Sequence, residues 1–138
     1  MNKYKVDELK IGMSESFNIK ITADMMDLFL KLSGDVNIIH NDKEYAKSRG
    51  FKDKVVYGML VSSFYSTLVG VYLPGKYSLF HGIEIVFSKP VFVGDELEIY
   101  GEIIYINEAY KQVEIKSYIT NQNKQKVSKA KLKVGIYE

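Results

Sequence analysis

The sequence predicts an α+β domain in which one long uncharged helix lies against an antiparallel sheet. Three observations lead there. Residues 55–75 contain no Asp, Glu, Lys or Arg, and polar, charged stretches flank them. Beyond residue 82, apolar and polar residues alternate with a period of two in successive runs parted by turn residues, the signature of half-buried strands. All helical signals precede those runs, and such segregation favours helices on one face of a sheet over alternating βαβ units.

Residues 14–21 read as a first strand, because Phe17, Ile19 and Ile21 alternate with polar neighbours. Thr22 then caps a helix with Asp24 in its first turn. Met25, Met26, Phe29, Leu30 and Leu32 form its apolar face, and Gly34 ends it. Residues 35–41 are expected as loop or a short turn. Asp42 caps a second short helix through Ala46 that stops near Gly50, and residues 51–54 connect onward. Residues 58–73 form the central helix, closed by Pro74-Gly75. Ser62, Ser66 and Gly70 are four residues apart and share one small-residue stripe. Strands follow at 82–87, 97–105 (entered through a turn at 93–95), 113–120 and 127–136, with a hairpin turn at 121–124. These are expected to form a meander. His81 is read as lying just before a strand, with a structural or surface role.

The 138 residues suit one domain, 1–138, with a real core. Hydrophobic residues at 46% and charged residues at 26% mark a globular chain. A net charge of +2 does not make a nucleic-acid protein; Lys124, Lys126, Lys129, Lys131 and Lys133 alternate with apolar positions, as on the solvated face of a strand. The chain has no cysteine, which excludes disulfides, thiolate catalysis and cysteine-ligated metals. Residues 1–10 are polar, without an apolar leader, so a cytoplasmic location is expected. The uncharged stretch reaches the roughly 20 residues that span a bilayer. Its serines, tyrosines, glycines and Pro74 favour a helix buried in a water-soluble fold, with no membrane partner.

One segment concentrates chemistry: Ser33-Gly34-Asp35-Val36-Asn37-Ile38-Ile39-His40-Asn41-Asp42, followed at a short distance by Val55-Val56-Tyr57-Gly58-Met59-Leu60. An acid and an imidazole ahead of a glycine-led helix can handle a water molecule facing a thioester. Asp35 and His40 would serve as base and acid on one shared water, and backbone N–H groups at the helix start would receive the enolate oxygen. Singly, Asp35 also fits an Asx-turn and His40 a solvated loop histidine. Asp42 is read as a helix cap, and Asn37 as either a loop brace or a substrate contact. Two separated histidines supply too few ligands for a metal site, and the chemistry needs no cofactor.

These segments, with Ala46, Phe51, Leu73-Pro74-Gly75 and the run Phe87-Ser88-Lys89-Pro90-Val91-Phe92-Val93-Gly94-Asp95, resemble the MaoC-like (R)-specific enoyl-CoA hydratases. There the motif reads roughly Asp-x-Asn-Pro-x-His-x-Asp, then His-Gly-Met-Leu at the central helix. The resemblance implies a hot-dog fold, a sheet of about five strands wrapped around the helix, joined edge to edge as a homodimer. It implies hydration of a trans-2-enoyl thioester of coenzyme A, or of acyl carrier protein, to the (R)-3-hydroxyacyl product, or the reverse. Asp35 and His40 match the catalytic pair, Gly58 the glycine whose N–H polarises the thioester carbonyl, Asn37 the motif asparagine and Ser66 a residue lining the acyl pocket. Two positions depart: Ile38 replaces the motif proline, and Tyr57 replaces the histidine before Gly-Met-Leu, which is read as altering the pocket. A dimer is expected on physical grounds too, since the helix is too apolar to face water on its outer side and the sheet edges are open. Two alternatives are a hot-dog thioesterase and a non-catalytic acyl-thioester-binding subunit. No carboxylate lies between Gly58 and Leu73, against the first. The intact Asp35 and His40 speak against the second.

Overall fold

A computed structural model describes residues 1–138. After a single 3-10 turn at Val6–Glu8 the chain enters β1 (Ser14–Lys20). The expected cap opens α1 (Ala23–Ser33): the Thr22 hydroxyl oxygen accepts the Met25 N–H at 3.3 Å. Gly34, at φ 71° in the left-handed region, closes it and turns its N–H back to the Leu30 carbonyl. One turn of helix, α2 (Ile38–Asn41), stands inside the expected loop. Asp42 caps α3 (Lys43–Ser48) by accepting the Tyr45 N–H at 2.9 Å.

The central helix α4 (Gly58–Thr67) widens into a π-helical turn at Leu68–Tyr72 rather than continuing as α-helix to residue 73. It lies against a five-stranded antiparallel sheet, completed by β2 (Ser78–Phe87), β3 (Glu96–Asn107), β4 (Gln112–Thr120) and β5 (Lys126–Ile136). Leu60, Val61, Phe64, Tyr65 and Leu68 meet Ile99, Ile103, Ile115, Ile119, Leu132 and Val134 in one core. Gly101 on β3 permits that approach: a Cβ there would sit 2.6 Å from Leu68 Cδ2.

Two expectations about the strands need correction. The strands do not form a meander throughout, because the order is β1-β3-β4-β5-β2. β2 pairs with β5, so the chain crosses the sheet between β2 and β3, and β1 and β2 are the edges. β2 also begins at Ser78, which places His81 inside it, at a bulge between Phe80 and Gly82. His81 is a surface residue, its ring nitrogens 3.0 Å from the Tyr137 hydroxyl and the Gln112 carboxamide. As expected of a helix that one sheet cannot hide, α4 is not covered all round within the chain: Met59 is 62% exposed, and Ser63 and Ser66 are exposed beside it. The tail lysines do alternate outward, with Lys131 paired to Glu114 at 3.4 Å. No helix is long and apolar enough to cross a membrane.

Candidate active site

The loop after α1 is built by short-range polar bonds. The Asp35 carboxylate accepts the Asn37 N–H at 3.0 Å, closing an Asx-turn. The Asn37 side chain then caps α2 by accepting the Ile39 N–H at 3.1 Å. Asn37 is thus a brace of the loop. One helical turn later comes His40, whose Nδ1 lies 2.6 Å from the Val55 carbonyl oxygen. A carbonyl only accepts, so Nδ1 carries a proton, and the neutral form of the ring would leave Nε2 to accept one. The Val55 N–H donates to the Ile39 carbonyl at 3.1 Å, so two bonds stitch α2 to the strand-like segment leading into α4.

That segment delivers Tyr57 and Gly58. No side chain caps α4, and its first N–H groups belong to Gly58, Met59 and Leu60. Helix starts of this kind present unsatisfied donors and positive dipole character to an anion. Asp35, His40, Tyr57 and Gly58 line one cavity of about 270 Å³ together with Phe29, Ser33, Met59 and Phe87. A second cavity, of about 390 Å³, shares His40, Gly58 and Phe87 and runs out past Phe51, Val91 and Pro90 to Lys89. Phe87 stands between them; a Cβ on Gly58 would lie 3.3 Å from its Cζ. A larger groove of about 520 Å³ at the β1–β3 edge is polar and holds no imidazole.

Four of the six residues singled out from sequence therefore meet: Asp35, His40, Tyr57 and Gly58. Asn37 sits in the adjoining turn, and Ser66 is exposed two turns along α4, outside both cavities. Sequence reasoning missed Phe87, Phe29, Met59 and the Val55 carbonyl. Phe87 and Met59 stand within the family motifs but have no polar atom to attract notice; the carbonyl has no sequence signal. No three His, Asp or Glu side chains converge as a metal site would require.

The MaoC-like domain model matches residues 8–127. The chain belongs to the MaoC-like domain family. An (R)-specific enoyl-CoA hydratase of Aeromonas caviae is 36% identical over 100 residues, which cover 72% of this chain and 75% of that protein. Among solved structures, R-hydratase PhaJ1 from Pseudomonas aeruginosa, in its unliganded form, superposes with a TM-score of 0.90 at 27% identity, covering 97% of this chain and 86% of that one. The (R)-hydratase of A. caviae involved in PHA biosynthesis gives 0.88 at 30%, covering 93% and 97%. The five-stranded sheet and central helix of this MaoC-like chain are thus the hot-dog fold of those neighbours.

Proposed function

We propose that this MaoC-like protein adds water to a trans-2-enoyl thioester to give the (R)-3-hydroxyacyl thioester, and catalyses the reverse dehydration. The observation that carries this reading is the convergence of Asp35, His40 and the open start of α4 on one small cavity. The water oxygen bonds to C3 of the enoyl group, one water proton passes to the Asp35/His40 pair, and the pair returns a proton to C2. Electron density shifted onto the thioester oxygen is received by the Gly58 N–H. His40 suits the task because its Nδ1–H is committed to Val55, which leaves Nε2 for the water. A positioned acid–base pair contributes ~10²–10⁴-fold, and each backbone donor to the oxyanion about 3 kcal/mol.

The carrier is coenzyme A in this reading, supported by the named activity of the Aeromonas caviae relative. The working form is a homodimer, supported by the exposed apolar residues on the inner side of the β2 edge, where Ile83 is 43% and Phe87 48% exposed, and by the uncovered Met59 face of α4. The test is a panel of trans-2-enoyl-CoA thioesters of rising chain length. Loss of the conjugated-enoyl absorbance is followed, and the product configuration is read by chiral chromatography. Steady loss of absorbance with a single (R) product supports the proposal. Thioester cleavage to free coenzyme A without loss of conjugation would replace it by thioesterase action.

A further inference from the structure

Tyr57 is 2% exposed and immediately precedes Gly58. A phenol buried to that degree has to place its O–H. It donates to the backbone carbonyl oxygen of Asp35 at 3.0 Å, with the Asn41 carboxamide oxygen at 3.4 Å. Its ring lies on the His40 imidazole, centroids 4.2 Å apart and planes 32° off parallel, and on Phe29 at 4.8 Å from the other element. The Asp35 loop, the His40 ring and the start of α4 therefore meet on one side chain.

We propose that Tyr57 is the positioning residue of this site: its hydroxyl anchors the Asp35 loop to α4, and its ring fixes the face of His40. The inference rests on the hydration reading above. The Asp35 loop is exposed, and the bonds made by the Asp35 N–H and carboxylate reach no further than Ser33 and Asn37. The bond from Tyr57 crosses 22 residues and sets the loop's distance from Gly58. His40 is held at one nitrogen by Val55 and can still rock about that bond; the Tyr57 ring closes one side of that motion. The phenol is not an acid–base group here, because its proton already lies on a carbonyl. Its influence is on geometry, where a ~1 Å misplacement can cost on the order of 10²-fold.

The experiment compares wild type with Tyr57→Phe and Tyr57→Leu, reading kcat and KM on crotonyl-CoA and, independently, the imidazole resonances by NMR. The chain has two histidines, so His81, exposed at the β2 bulge and lining neither cavity, is an internal control. Tyr57→Phe keeps the ring and removes the tether: kcat should fall roughly tenfold to a hundredfold with KM within about twofold. Tyr57→Leu should fall further and move the His40 resonances, leaving those of His81 in place. Tyr57→Phe turning over within about twofold of wild type, or unmoved His40 signals in Tyr57→Leu, would overturn the proposal. A wild type inert on every enoyl thioester would instead remove the hydration reading, while the NMR comparison would still judge the Tyr57 contacts.

Discussion

At the scale of single residues, the proposed mechanism divides its labour between groups that would react and groups that would aim them. Asp35 and His40 are separated by one turn of chain, and both face the cavity because an Asx-turn and an Asn37 cap fold the intervening residues tightly. Asp35→Asn keeps the Asx-turn acceptor but removes the charge that would take the proton in the proposed mechanism. His40→Ala removes the free Nε2. Each substitution should lower kcat by ~10²–10⁴-fold with an unchanged far-ultraviolet circular dichroism spectrum. Because both act on one water, the double variant should be little slower than the worse single one. Near-wild-type turnover of Asp35→Asn would remove the water-activation role. Asn37→Ala, by contrast, is expected to act through its cap: it should cost about 1 kcal/mol of stability, read by chemical denaturation.

Among the elements, α4 carries both the proposed oxyanion donors and a large part of the core. Gly58 has an ordinary negative φ, so Gly58→Ala meets no backbone strain and gains ~0.4–1 kcal/mol from the unfolded state. The new Cβ, however, would stand 3.3 Å from the Phe87 ring, which lines both cavities at His40. Melting temperature should hold while kcat drops, and equal loss of both would mean that Gly58 serves packing. Deeper in α4, the Tyr65 hydroxyl donates to Ser128 Oγ at 2.8 Å, tying the helix to β5. Burial pushes that phenol up to about 12 from its ordinary 10.0, the Ser128 bond pulling the other way. A raised folded value leaves stability untouched below about pH 10 and withdraws it as pH climbs toward 12. Tyr65→Phe should remove this alkaline loss but strand the buried Ser128 hydroxyl, costing ~1–3 kcal/mol at neutral pH by denaturant titration. The same elements show what a sequence can disclose. Thr22, Gly34 and Asp42 act on backbone groups within four residues, and each cap was legible. That Asp35, His40 and Gly58 meet at one cavity was legible from residue type and spacing. The partner of β2 was not, since pairing with β5 rather than β3 depends on a crossover of the whole sheet. Nor were the Val55 carbonyl beneath His40 and the direction of the Tyr57 hydroxyl, which exist only once α2 docks against the segment ahead of α4.

The whole molecule leaves one side unfinished. β2 is an edge strand, and its Ile83, Ile85 and Phe87 side chains turn toward the helix layer, opposite Leu132, Ala130 and Ser128 on β5. Ile83 and Phe87 nevertheless stay substantially exposed, and so does Met59 on the neighbouring face of α4. An edge that offers free N–H and C=O groups beside an apolar row is a template for pairing with another chain. A second copy, related by a two-fold axis, would cover both the strand edge and the helix face at once. Phe87 lies in this strip and also lines both cavities at His40, so the pairing of copies and the shape of the site share a residue. That coupling yields a test at this scale. Ile83→Lys places a charge on the inner side of the edge, where only a partner chain would desolvate it. Within one chain the lysine can reach water, so the fold should persist, as judged by circular dichroism. Light scattering should find the wild type at twice the chain mass and the variant at the chain mass. Turnover should fall in step with the loss of dimer and recover partly at high protein concentration, where mass action restores pairing. A wild type that is monodisperse at the chain mass at micromolar concentration would leave the apolar strip without this partner, and a monomeric Ile83→Lys with full activity would separate the site from the interface.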